Sequence, residues 1–429
     1  MRILIENASV VLKVDNLYTV TTKCIVIEGQ YIKSVLDTVP SVEFDMVIDG
    51  RNKLVIPGLI NAHTHSYMTL FRNSADDLSF DQWLFKKIIP QEDQLTSDNV
   101  YWGSMLAIME MINTGTTCFA DMYMFVNETT RAVEESGIRA SLSRGLVDID
   151  GGGERRLREA LSEIKDWTKG DHDRIKFLLA PHAPYTCSKE YLKKVISKAH
   201  QLELGINTHL SETRKEVKDI QAQYGLTPTG YLNELGTFNQ QTLAAHCVYL
   251  TEEDMDILYQ KKVNVVSNPT SNLKLGNGVA PIKHLINKGI NICLGTDGAA
   301  SNNTLNTFKE IQMISLIHKG VHEDAELITA QEALAFATSA GAKALGYERL
   351  GEIKAGYLAD LTLIDLDKPQ YYPRNNLIAA LVYSTTGEEV ETVIVNGKVL
   401  MYKNVFKTID TERTKYEVTR INNRLKRSL

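Results

Sequence analysis

His63 and His65 stand one residue apart in PGLINAHTHSYMTLFR, residues 57–72, where an apolar run gives way to polar residues. Alternate side chains of an extended strand share a face, so both rings point the same way where the strand ends. Two imidazoles placed like this can grip a metal ion. An isolated His-x-His is equally compatible with two loop histidines, and the remainder of the chain must decide. His182 follows IKFLLAP, His209 stands near the end of GINTHL, His246 near the end of TLAAHC, and Asp297 ends NICLGTD. Imidazole nitrogens and a carboxylate suit a borderline divalent ion, and three or four of them leave a coordination position open, as catalytic sites require. A structural zinc would favour cysteine and close all four positions. Glu212 lies beyond His209 in NTHLSET, too far along to share its strand face. It is expected in a loop above the metal as an acid or base, although a glutamate opening the helix ETRKEV would also complement that helix's N-terminal charge.

These residues can meet only if the elements carrying them converge. The short apolar runs LVIPGLI, TTCFADM, RASLSRG, IKFLLAP, GINTHL, TLAAHC, VNVVSN and NICLGTD alternate with amphipathic segments such as NVYWGSMLAIMEMIN and KEYLKKVISKAHQL. Strand-then-helix units repeated over residues 57–348 predict an α/β fold, a (β/α)8 TIM barrel with its chemistry at the C-terminal strand ends. The histidines at the strand ends and Asp297 then share one barrel mouth. By contrast His200, His284 and His318 fall in helices and read as surface or packing residues.

Residues 1–56 and 349–429 are β-rich, with turn signals in EGQ, DGRN and NGK. They are predicted to pair into a small β-sandwich made from both ends of the chain, followed by a last helix in TERTKYEVTRINNRLKRSL. Its basic end reads as a solvated helix face.

With 429 residues, 43% of them hydrophobic, the chain has enough apolar material for one large domain and a smaller one. A formal charge of −6 disfavours nucleic acid or an anionic membrane as partner, leaving a small molecule. The five cysteines are scattered, without a Cys-x-x-Cys pair, as expected of a reducing, cytoplasmic setting. Neither a signal peptide nor a membrane-spanning run is legible.

PGLINAHTH, NTHLSET, AAHC and LGTDGAASNN, in that order, resemble the amidohydrolase superfamily, in the branch that uses one metal. The resemblance implies a divalent ion, usually zinc, held by His63, His65, His209 and Asp297, with His246 beside the attacking water. No lysine stands in the strand-end motifs where two-metal relatives place a bridging one, so one ion per chain is expected. Further stretches, DDLSFDQWLFKKIIPQED, SRGLVD, APHAPY and SNLKLGNG, are similar to the 5-methylthioadenosine/S-adenosylhomocysteine deaminases.

That similarity implies hydrolytic deamination of the adenine ring of adenosine derivatives, by a homo-oligomer. Asp297 would take a proton from water and Glu212 would protonate the ring, both touching the substrate. Carried over by position, Glu92 binds the ribose hydroxyls, His182 contacts the nucleoside, and Arg144 and Arg156 reach the far end. GGGERRLREAL departs from the family pattern, so Arg155 is an alternative to Arg156. Guanine and cytosine deaminases and triazine chlorohydrolases share the metal motifs without this combination.

Overall fold

The chain begins with five strands, β1 (Arg2–Val14), β2 (Leu17–Glu28), β3 (Tyr31–Leu36), β4 (Met46–Asp49) and β5 (Lys53–Pro57), in the computed structural model, which describes residues 1–168 and 173–428. Eight parallel strands follow: β6 (Leu59–Thr64), β7 (Thr116–Tyr123), β8 (Arg139–Leu146), β9 (Ile175–Pro181), β10 (Gly205–Leu210), β11 (Thr242–His246), β12 (Asn264–Ser267) and β13 (Ile292–Leu294). They neighbour one another in chain order, β6 through β13, with helices between them. The chain closes with β14 (Leu361–Asp365), β15 (Val390–Val395), β16 (Lys398–Tyr402), β17 (Val405–Phe406) and the helix Thr411–Ser428. This is the (β/α)8 barrel with a β domain built from both chain ends.

The connecting helices form for visible reasons. In Lys189–Gln201 the Ser188 hydroxyl accepts from the Tyr191 N–H, capping the N-terminus, and Tyr191, Leu192, Val195, Ile196 and Ala199 form one buried stripe. Each large side chain in such a stripe contributes about 1.5–3 kcal/mol on burial. The stripes cover the outer faces of strands that are themselves buried along nearly their whole length, β7 and β9 among them.

LVIPGLI, read above as one strand, is divided between two sheets. Leu54–Pro57 pairs with β14 in the outer sheet, and Leu59 opens the barrel. Pro57 has no N–H to continue a ladder, and a Cβ on Gly58 would collide with Thr117, so the chain changes sheet at that dipeptide. The outer strands make one continuous sheet, β17-β16-β15-β14-β5-β1-β2-β3, with β4 paired to β1. One face packs on the barrel, and the other encloses a core of its own around Ile5, Ile25, Ile27, Val55 and Leu361.

The two ends of the barrel are tied differently. At the floor Arg139, fully buried, donates Nε and Nη2 to the Asp360 carboxylate at 2.8 and 2.9 Å. At the mouth β6 and β13 join through the Thr296 N–H on Asn61 Oδ1 (2.9 Å) and the Asp297 N–H on the His63 carbonyl (3.0 Å). That closure brings Asp297 onto the strand bearing His63.

Candidate active site

His63 lies within β6, and His65 immediately follows it. His209 is next to last in β10 and His246 is last in β11. His182 directly follows β9, Glu212 follows β10, and Asp297 lies beyond β13. All face the same mouth, as expected, though His63 sits deeper than a strand end. Non-glycine residues here adopt left-handed backbone: Ser211 (φ 50°), His246 (φ 73°), Cys247 (φ 49°) and Asp297 (φ 62°). That region costs an L-residue about 1–2 kcal/mol, and such positions collect where a site over-determines the backbone.

The rings converge tightly. His65 Nε2 lies 3.2 Å from Asp297 Oδ1 and 3.3 Å from His209 Nε2, and His63 Nε2 lies 3.6 Å from the same Asp297 oxygen. Both ring nitrogens of buried His63 lack a hydrogen-bond partner. Buried polar atoms are rarely left so, and a cation among these atoms would take the lone pair of one of them. His65 Nδ1 donates to the Met122 carbonyl (2.6 Å) and His209 Nδ1 to the His182 carbonyl (2.8 Å). Each bond fixes the tautomer that leaves Nε2 as lone-pair donor toward the centre, the usual support of a metal-binding imidazole. The donor set therefore fits a single divalent ion.

Electrostatics set His63 and His65 apart, and a cation displacing the proton of His65 would restore its lone pair. Burial pushes His63 down to about 4, holding it neutral. Burial also opposes charge on His65, but the Asp297 hydrogen bond and charge outweigh it and raise that ring to about 8. Asp297 keeps its charge despite burial because both histidines face it, holding its carboxyl well below the usual range. Its other oxygen, Oδ2, accepts from Ser271 Oγ and Ser301 Oγ, each at 2.6 Å.

Above this cluster opens a cavity of about 320 Å³, lined among others by Asp297, His246, Glu212, Glu92, Arg144 and Arg156. Among its described lining residues there is no lysine. Glu212 is buried, which raises its carboxyl; Asn277 Nδ2 donates to Oε1 at 2.9 Å, and Oε2 lies 3.9 Å from His246 Nε2. Glu92 Oε1 is buried without a partner, and burial pushes that carboxyl up to about 8. Arg144 donates to Glu159 while its Nε is buried and unpartnered. Arg156 lines the cavity and pairs with Asp150, its Nη1 2.6 Å from Oδ1. Arg155 does not line it: its side chain is 58% exposed and pairs with Glu159 along the helix.

The amidohydrolase family model matches residues 54–400. The chain belongs to the amidohydrolase family. Among its relatives, a 5-methylthioadenosine/S-adenosylhomocysteine deaminase of Dictyoglomus turgidum is 50% identical over 417 residues, covering 97% of each chain. One of Halothermothrix orenii is 43% identical over 427 residues, covering 98% of this chain and 99% of that one. Among solved structures, a zinc-bound adenosine deaminase of Xanthomonas campestris superposes with a TM-score of 0.95 at 32% identity, covering 100% of this chain and 99% of its own. A zinc-complexed atrazine chlorohydrolase of Arthrobacter aurescens, at 23% identity, covers 98% of this chain and 100% of its own with a TM-score of 0.91, a likeness of fold alone.

Several residues that shape this amidohydrolase site were not singled out by sequence. Asn272 Oδ1 accepts from His246 Nδ1 at 2.8 Å, aiming Nε2 into the cavity. Ser271 and Ser301 hold Asp297, Asn277 holds Glu212, and Asp150 faces Arg156. The runs PTSNLKLGNG and GAASNN gave a signal in being polar yet short and glycine-bearing after predicted strands. Their individual bonding partners have no sequence signature.

Proposed function

We propose that this amidohydrolase deaminates the adenine ring of adenosine derivatives with a 5′-thioether, methylthioadenosine and adenosylhomocysteine among them, using one zinc ion per chain. One observation carries the reading. A single cavity is lined by the histidine cluster, by a buried carboxyl at Glu212, by Glu92 with an unpartnered carboxylate oxygen, and by the guanidiniums of Arg144 and Arg156. Those features match the needs of a purine ring, a ribose and an amino-acid carboxylate. The names of the relatives support the same substrates.

His63, His65, His209 and Asp297 would hold the ion, and zinc suits three imidazoles and one carboxylate. When bound, it supplies the acidity that makes water a nucleophile at neutral pH. Asp297 accepts the proton released as water attacks C6 of the ring. His246, aimed by Asn272, holds the attacking oxygen on the correct face. Glu212, whose carboxyl burial shifts toward the protonated form, donates to ring N1, so the purine does not build negative charge as C6 becomes tetrahedral. The proton on Asp297 then passes to the amino group, the C–N bond breaks to release ammonia, and the C6 hydroxyl returns its proton to Glu212, leaving an oxo group at C6.

Glu92 accepts from the ribose hydroxyls, His182 packs against the nucleoside, and Arg144 and Arg156 bind a terminal carboxylate where the substrate has one. All five cysteines are buried and unpaired, in keeping with a cytoplasmic enzyme. No helix among the described residues is long and apolar enough to cross a membrane. Incubating purified, metal-analysed protein with methylthioadenosine, adenosylhomocysteine, adenosine, guanine and atrazine tests the reading. Ammonia is expected from the adenine nucleosides; chloride from atrazine, or ammonia from guanine alone, would replace it with a rival.

A further inference from the structure

We propose that Glu216 is the positioning residue that aims Glu212 into the cavity; this rests on Glu212 being the proton donor. In a Thr-x-x-Glu start to a helix, the glutamate ordinarily reaches back to the N–H of the capping threonine. Thr213 caps the helix Arg214–Tyr224, its hydroxyl accepting from the Glu216 N–H at 3.1 Å. The Glu216 carboxylate reaches past Thr213. Oε1 accepts from the Ser211 N–H at 2.9 Å, and Oε2 from the Glu212 N–H at 2.7 Å.

Between His209 and Glu212 the backbone turns through Ser211, a non-glycine residue at φ 50°. The serine side chain does nothing to reward that conformation, since its Oγ is buried without a partner. Backbone bonds hold it. Glu216 takes the N–H on one side, and the Ser211 carbonyl accepts from the Val248 and Tyr249 N–H groups at 3.0 and 2.9 Å on the other. Ser211, Glu212 and Glu216 are all nearly fully buried, so water cannot replace the carboxylate. Without it, two consecutive buried N–H groups lose their acceptor and the turn loses its clamp. Glu212 then swings away from the line between Asn277 and His246 that points it at the ring.

The test is a set of variants assayed with methylthioadenosine: Glu216→Gln, Glu216→Ala, Glu216→Ala with Ser211→Gly, and Glu216→Gln with Glu212→Gln. In the single variants kcat should fall about 10- to 100-fold, the scale of a misplaced catalytic group, while KM and bound metal stay within about twofold. Glycine adopts the left-handed turn freely and here deletes no hydrogen bond, so Ser211→Gly should return about tenfold to the alanine variant. With Glu212→Gln already present, Glu216→Gln should cost nothing further, because two residues acting as one unit are not additive. Glu216→Gln keeps the side-chain volume and one acceptor and carries the test where the alanine variant does not fold. Unchanged kcat, lost metal without rescue by glycine, or additive losses with Glu212→Gln would each overturn the proposal. Wild-type turnover in Glu212→Gln alone would instead overturn the proton-donor assignment beneath it.

Discussion

Arg139 opens strand β8 and Arg144 lies in its C-terminal half, and both are buried. Arg139, at the floor, gives Nε and Nη2 to Asp360, Nη2 also to Asn396 Oδ1, and Nη1 to the Asp173 carbonyl. Arg144, at the mouth, gives Nη2 to Glu159 and leaves Nε buried with nothing to bond. Burial opposes the charge of both. At Arg139 the Asp360 charge and hydrogen bonds outweigh it, whereas at Arg144 burial prevails over Glu163 and Glu159 and lowers the guanidinium. His63 and Glu92, also at the mouth, likewise carry unpartnered buried atoms. On the proposed function, the same chemistry is spent on the fold at one end and kept for a ligand at the other.

This contrast can be broken first at the floor, where the largest effect is expected. Asp360→Asn leaves a buried guanidinium without its counter-charge and should lower stability by about 3–5 kcal/mol in urea denaturation. The kcat of the protein that remains folded should not change. At the mouth Glu212→Gln should do the reverse, lowering kcat about 100-fold or more as loss of a general acid does, with stability unchanged or higher and the metal retained. Activity lost at the floor, or stability lost at the mouth, would dissolve the distinction.

The next effect sharpens it by substrate. Arg144→Ala should lower kcat/KM for adenosylhomocysteine by about 2–3 kcal/mol, the scale of a hydrogen bond to a charged group, and leave methylthioadenosine nearly untouched. Equal losses on both substrates would mean that Arg144 supports the barrel rather than a ligand.

The smallest effect is one of pH. Burial raises Glu92 from 4.5 to about 8, so the folded protein without substrate keeps a proton that the unfolded chain has lost across that window. The unfolded chain gains from this ionisation, and stability falls as pH rises from about 4.5 to about 8. Glu92 is only half-buried as a residue, so solvent screening holds the effect well below the roughly 1.4 kcal/mol per pKa unit of the full shift. Glu92→Gln should flatten the melting temperature across that range; an unchanged slope would place the titration elsewhere.

What could be read from the sequence follows the same division. His63, His65, His209, His246 and Asp297 were legible because each stands at or near the end of an apolar run, and the barrel topology converts those positions into one mouth. Arg155 and Arg156 were not separable. Neighbours on a helix point about 100° apart, and only the packing of Leu157, Ala160 and Ile164 against the barrel decides which faces the cavity. Glu216 was illegible for a different reason. An acid in the first turn of a helix reads as a solvated cap, and nothing local says that it is buried and bonded to the preceding loop. The split of LVIPGLI between two sheets was hidden because both halves are apolar strands, and only the Pro57-Gly58 pair marked the change.

The most direct test titrates zinc into chelator-treated protein while ammonia from methylthioadenosine is followed. If the unpartnered atoms at the mouth await one ion and an adenine nucleoside, activity should rise in proportion to added zinc and level off at one ion per chain. Full activity without metal, a second equivalent needed for turnover, or no ammonia from a protein holding one tightly bound ion would contradict the account.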